Sequence, residues 1–333
     1  MTHKVTILIP SIGRPKLIKF TFNSLKNQSF KDFEVIVILK SRDNETIKLA
    51  GRFKQHFDLQ FLLQKHEGLL KAYEEGIENA SGEIILFLDD DVIVDSNCIK
   101  EHVSMYEQHN ISGVSGDVIP AYLINEKLKI IDNTSEITAF CGETQKRMAY
   151  DKLCDTPLEG QEKHLVYLSK AGYFKTKKSF RCQNIVDSLL CMAANMSAQR
   201  NVLRDIRLPV FLEHGINFEQ IIGWRLWKKG YRTVFNPKAK VYHIRHGQSM
   251  SRFLDLKNTY LAKIEDELIF YYLILEGEKL SKMHRIAVLI YNIMTHIIKM
   301  KQDWKYQIVI LKGIFAGNLT GLKWLVSKKR FNL

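Results

Sequence analysis

Short apolar runs rich in β-branched residues alternate with segments of helical spacing through the first 120 residues, and no other feature limits the fold as much. VTILIP (5–10), FEVIVIL (33–39), LQFLL (59–63), EIILFL (83–88) and GVSGDVI (113–119) read as strands. Between them, residues 15–28 with Pro15 near the start, 46–57, 69–80 with Gly82 as the stop, and 96–109 read as helices. Alternation at this spacing predicts an α/β fold, doubly wound around a mostly parallel sheet. Ligands of such sheets sit beyond the carboxyl ends of the strands. The residues just after each apolar run are therefore the ones to search.

The later chain is less regular. Residues 121–185 mix charges with short apolar patches and read as loops and short elements. Order returns over 186–245, in VDSLLCMAANMS, FEQIIGWRLWKKGY and TVFNPKAKVYHIR. Beyond 256 the pattern is helical and amphipathic. Its longest apolar stretch, 284–300, is broken by His284 and His296, and the chain lacks the ~18 uninterrupted apolar residues of a membrane span. The first residues lead straight into a strand-like run, so no signal peptide is expected. Cys98, Cys141, Cys154, Cys182 and Cys191 form no CxxC pair and are too scattered for a disulfide scaffold, which suits reduced thiols in the cytoplasm.

Charge separates the last segment from the rest. The net charge is +13, and residues 279–333 hold eleven Lys or Arg against one acid, Asp303. Such a basic segment implies an anionic surface, either nucleic acid, acidic lipid or an acidic partner.

Asp89, Asp90 and Asp91 directly follow the apolar run 83–88. Three adjacent carboxylates repel one another and are tolerable at a strand end when a divalent cation sits among them. Oxygen ligands suit Mg²⁺ or Mn²⁺, which bind diphosphate in turn. The plain alternative is an acidic loop that caps the next helix. A Walker B strand would need an upstream GxxxxGK[ST] loop, which this chain lacks.

Five blocks in order resemble the family-2 glycosyltransferases of GT-A fold: ILIPSIGRP, SLKNQSFKDFEVIVI, HEGLLKAYEEGIENASGEIILFLDDDV, AANMSAQRNVL and FEQIIGWRLWKKGYRTVFNPKAKVYH. They cover roughly residues 4–250. The resemblance implies an inverting transferase that moves a sugar from a nucleotide-sugar to an acceptor hydroxyl, using Mn²⁺ or Mg²⁺. It implies that Asp89 and Asp91 end the DXD motif, with Asp89 toward the donor ribose, Asp90 in the same donor-binding loop, and Asp91 and His243 on the metal. It implies that Glu219, six residues before Arg225, is the general base. It sets Pro10, Ser11 and Arg14 at the nucleotide and Gly68 where backbone approaches the donor. On this reading residues 1–120 form the nucleotide-sugar half, 121–250 the acceptor and catalytic half of the same domain, and 251–333 a basic amphipathic helical extension.

Several positions depart from the family pattern. Leu39 and Lys40 stand where an Asp pair usually holds the nucleobase, with Asp43 the nearest acid. Tyr73 and Glu74 replace a common Arg-Asn pair, and Phe218 and Ile221 replace acids beside the presumed base. The resemblance therefore assigns neither base nor sugar. Two rival readings are a sugar-nucleotide pyrophosphorylase, for which SIGRPK is a poor signature, and a nucleic-acid-binding protein using the basic segment with Trp304, Tyr306 and Trp324. The preferred reading expects a glycan or lipid-linked acceptor, an anionic membrane surface as partner, no nucleic acid, and a peripheral place on the cytoplasmic face of the cell membrane.

Overall fold

A computed structural model describes residues 3–108, 110–125, 127–130, 156–177, 184–209, 215, 217–246 and 281–327. The alternating half forms β1 (Val5–Ser11), α1 (Pro15–Lys26), β2 (Phe33–Leu39), α2 (Asn44–Gly51), β3 (Asp58–Leu63), α3 (Leu69–Asn79) and β4 (Ile84–Leu88). A short β5 (Val92–Val94), α4 (Cys98–Gln108), β6 (Gly113–Ile124) and β7 (Lys127–Lys129) follow. The later described elements are β8 (Val166–Leu168), β9 (Phe174–Thr176), β10 (Val186–Asp187), β11 (Asn195–Gln199), α5 (Arg200–Ile206), α6 (Phe218–Lys228), β12 (Thr233–Ile244) and a long α7 (Lys282–Ser327).

The main sheet runs β10-β12-β6-β11-β4-β1-β2-β3. β3, β2, β1 and β4 are parallel neighbours. β11 enters antiparallel between β4 and β6, and β12 lies parallel to β6. Strands from both halves of the chain thus share one sheet. All seven residues of β2 are buried, as a strand covered on both faces requires.

Side-chain alternation divides the core into two layers. Leu8, Ile36, Ile38, Ile85 and Phe87 face α3, α5 and α6, together with Leu70, Tyr73, Val202, Phe218 and Ile222. Ile7, Ile9, Val35, Val37, Leu86 and Leu88 face α1, α2 and α4, with Phe22, Ala50 and Val103. Phe87 and Asp89 are two apart, so the first carboxylate of the triplet leaves the strand toward the α3–α6 side.

Several boundaries differ from expectation for physical reasons. α2 spans Asn44–Gly51 rather than 46–57 because Asp43 caps it, accepting from the Glu45 N–H at 3.1 Å. α3 ends at Asn79, so Gly82 is not its stop. A Cβ on Gly82 would lie 2.5 Å from the Thr6 amide nitrogen, so this glycine permits close passage against β1. NMSAQ is an interior strand, fixed by a buried polar knot. Asn195 donates to the carbonyls of Asp117 and Ala239 at 3.0 and 2.8 Å, and His102 lies 2.9 Å from its Oδ1 and 2.8 Å from Ser197 Oγ.

α7 is one helix of 46 residues. Met283, Ile286, Ile290, Met294, Ile297 and Trp304 are exposed along it, while Ile310 is buried. Among the described residues no helix is long and apolar enough to cross a membrane. Cys98 and Cys191 are buried and not joined in a disulfide; the other three cysteines and residues 256–280 of the expected helical stretch lie outside the described residues.

Candidate active site

The carboxylate triplet opens at the carboxyl end of β4, where the doubly wound rule puts a ligand. β5 begins one residue later and pairs antiparallel with β12 in the register Val92 to His243. That register carries His243 to the triplet, and the Ile244 N–H fastens it by donating to the Asp91 carbonyl at 2.9 Å. Asp89, Asp91 and His243 each offer a ligand atom within 4.8 Å of the others. Two carboxylates and an imidazole form a donor set that suits Mn²⁺ or Mg²⁺. The buried Oδ1 of Asp91 lies 3.3 Å from His243 Nε2 without a hydrogen bond of good geometry, so the residues fit a cation.

The three acids have separate environments. Burial, and then the charge of Asp91, push the Asp89 carboxyl up to about 7. Burial acts in the same direction on Asp91, but the close approach and charge of His243, with His246 and Arg14, outweigh it and hold that carboxyl down at about 2. Asp90 is fully buried and spent on the loop after β1. It accepts from Ser11 Oγ at 2.5 Å and from Arg14 Nε at 3.1 Å, with a second guanidinium contact to its other oxygen. Such a forked pair fixes direction as well as charge. Arg14 also lies 3.3 Å from Asp91, so it serves here as counter-ion to the triplet.

The loop expected to meet the nucleotide follows β1. Pro10 sits past the last β1–β4 partner, Leu8 with Phe87, where a missing N–H is tolerated. The Gly13 N–H donates to Ser11 Oγ at 3.3 Å, and a Cβ on Gly13 would come 3.0 Å from the Asp43 carboxylate. Asp43 therefore caps α2 and flanks this loop at once. Gly68, with φ of 109°, adopts a conformation other residues resist, although a Cβ there would meet nothing. Its loop is held from behind by buried Glu75, which accepts from the amides of Lys65 and His66 at 2.9 and 3.0 Å.

Glu219 lies in the first turn of α6. Gly223, one turn on, lets that face meet the loop before β11, since a Cβ there would strike the Leu190 amide at 2.3 Å. The Ala193 N–H then donates to Glu219 Oε1 at 3.1 Å. Burial raises the Glu219 carboxyl above its ordinary value against this hydrogen bond. Its charge reaches Asp89, so the expected base lies near the carboxylate cluster. Trp224 packs on the core, and Arg225 donates to the Arg207 carbonyl at 2.9 Å, tying α6 to the end of α5.

Sequence reasoning passed over His246. It lies 2.7 Å from Asp91 and 3.4 Å from Arg14, so Asp91 stands between two histidines. The spacing His243-x-x-His246 just past the strand was the available signal.

Residues 6–156 match the model of glycosyl transferase family 2. The stretch from β1 to the start of the later elements thus resembles the family-2 glycosyltransferases. A poly(ribitol-phosphate) β-N-acetylglucosaminyltransferase of Staphylococcus aureus, TarS, is 24% identical over 134 residues, 37% of this chain and 23% of TarS. A GalNAc(5)-diNAcBac-PP-undecaprenol β-1,3-glucosyltransferase of Campylobacter jejuni is 30% identical over 91 residues, 26% of this chain and 29% of that enzyme. The chain matches less than a third of the length of these curated relatives. Among solved structures, residues 1–349 of S. aureus TarS with UDP-GlcNAc superpose at a TM-score of 0.57 and 14% identity, covering 98% of this chain and 91% of that one. The Pyrobaculum calidifontis mannosyltransferase PcManGT with GDP-Man and Mn²⁺ gives 0.52 at 11% identity, covering 99% and 89%. These likenesses establish the GT-A fold.

Proposed function

We propose that this protein is an inverting, metal-dependent family-2 glycosyltransferase that moves a sugar from a nucleotide-sugar to an acceptor hydroxyl. The observation that carries the reading is the meeting of the Asp89, Asp91 and His243 cluster with half-buried Glu219 at one end of the sheet. A bound Mn²⁺ or Mg²⁺ on Asp89, Asp91 and His243 supplies positive charge against the departing nucleoside diphosphate. Ser11, Arg14 and Asp90 shape the nucleotide loop beside Pro10, Asp43 flanks the base end, and Gly68 gives the donor close access to backbone. Glu219 takes the acceptor proton while Ala193 holds one of its oxygens. The acceptor oxygen then attacks the anomeric carbon from the side opposite the diphosphate, and one in-line displacement inverts that centre.

The relatives that name polymer or lipid-linked acceptors support a glycan or lipid-linked acceptor for this chain as well. The exposed apolar stripe of α7 and the basic excess of residues 279–333 support peripheral attachment to the cytoplasmic face of an anionic membrane. A screen of nucleotide-sugars for Mn²⁺-dependent release of nucleoside diphosphate, with and without lipid-linked acceptors, tests the catalytic reading. Silence with every donor defeats it. Flotation on anionic against neutral vesicles tests attachment, which fails if removing residues 279–333 leaves binding unchanged.

A further inference from the structure

Tyr73 is fully buried in α3, and its hydroxyl has no hydrogen-bond partner among the described residues. Leaving such a group unmatched costs free energy, so its retention asks for a reason. The ring is clamped between two others, at 4.9 Å edge-on to Phe87 and 5.7 Å from Phe218. Phe87 stands two residues before Asp89 on the same side of β4, and Phe218 immediately precedes Glu219 on α6. The phenol thus sits under the ground between the donor carboxylate and the base. Burial first, and then the charges of Asp89, Glu219 and Asp90, raise its pKa well above the ordinary phenol value, so it stays an O–H donor.

We propose that Tyr73 is a positioning residue whose hydroxyl donates to the carboxylate of Glu219 during transfer and holds the base in line with the donor. The inference rests on Glu219 being the base. Asp89 already belongs to the cation cluster with Asp91 and His243, whereas Ala193 engages only one oxygen of Glu219. The two aromatic contacts keep the ring in place, so oriented donation requires only that Glu219 settle on its acceptor.

Tyr73→Phe removes the oxygen and keeps both ring contacts. The expected result is a kcat lower by about tenfold, as for loss of one hydrogen bond to a charged group, with KM for the nucleotide-sugar unchanged. The melting temperature should hold, because no existing hydrogen bond is broken. In a Glu219→Gln background, Tyr73→Phe should cost less than about twofold more, since residues acting as one unit are not additive. An unchanged kcat, a risen KM at constant kcat, an equal loss in the Gln background, or a melting temperature lower by more than about 4 °C each overturns the proposal. Wild-type protein silent with every donor defeats the parent reading instead; wild type active, Glu219→Gln crippled and Tyr73→Phe normal defeats this inference alone.

Discussion

The early half of the sheet, which the proposal gives to the donor, and the later half, which it gives to the acceptor, are built by different means. Around β1, β2 and β4 the strands are parallel and buried throughout, and the residues that matter follow them directly in sequence. Around β11 and α6 the order is antiparallel, a two-residue strand closes the edge, and left-handed backbone at Met192 and Asn217 turns the chain. Glu219 is held by an amide 26 residues earlier, at a distance fixed by Gly223. The donor half concentrates charge by adjacency, whereas the acceptor half positions one acid by tertiary fit. Substitutions in the two halves should therefore fail differently.

Asp91→Asn should have the largest effect. It removes one of three cation ligands and the shared partner of His243, His246 and Arg14. Metal-dependent transfer should vanish while the circular dichroism spectrum stays that of wild type. Transfer at full rate by the folded variant in excess chelator would remove the metal from the account. Glu219→Gln comes next, with turnover lower by roughly 10²–10⁴, the range for loss of a general base. Donor affinity, read by calorimetry, should stay within about twofold if the halves work separately. A collapse of donor binding would show that Glu219 holds the donor, and the division between halves would dissolve.

That division also explains what the sequence made legible. Strand β2 was visible to the residue, because a strand buried on both faces is an unbroken apolar run. The triplet was visible because three adjacent acids after such a run have few uses. NMSAQ was not legible as a strand, since its place between β4 and β6 depends on the His102, Ser197 and Asn195 knot drawn from α4. Arg14 is expected at the nucleotide; its pairing with Asp90, between residues 76 apart, was not legible. No local pattern encodes that pairing.

Two glycines sharpen the same contrast. In the acceptor half, Gly223→Ala drives a methyl into the Leu190 amide, and backbone cannot step aside cheaply. Overpacking of this kind costs about 1–3 kcal/mol. It should also lower kcat, because the loop that carries Ala193 must move away from Glu219. In the donor half, Gly68→Ala meets open space and suffers only from its left-handed φ, about 1–2 kcal/mol. Thermal melts and donor KM on both variants decide it. Equal kcat loss from both would mean that Gly68 is also a tight contact in the loaded enzyme.

The smallest effect should be the pH dependence of the metal-free protein. Asp89 holds its proton up to about 7, while an unfolded aspartate gives it up near 3.8. Between those values the folded state binds the extra proton, so stability from this group falls as pH rises through the window. Asp91 behaves oppositely, because its folded carboxyl titrates at about 2; its contribution is present above the unfolded value and is lost as pH drops from about 4 to 2. Metal-free protein should therefore be most stable with respect to this pair near pH 4, and by pH 8 the ionised Asp89 should have removed its part of that stability. Asp89→Asn should recover that loss at pH 8 and leave pH 4.5 unchanged, and Mn²⁺ should stabilise wild type at pH 8 but not the variant. Denaturant melts at the two pH values, with and without Mn²⁺, read all four. If Asp89→Asn destabilises the metal-free protein at pH 8, the carboxylate is satisfied by the fold itself, and adjacency of charge is not what strains the donor half.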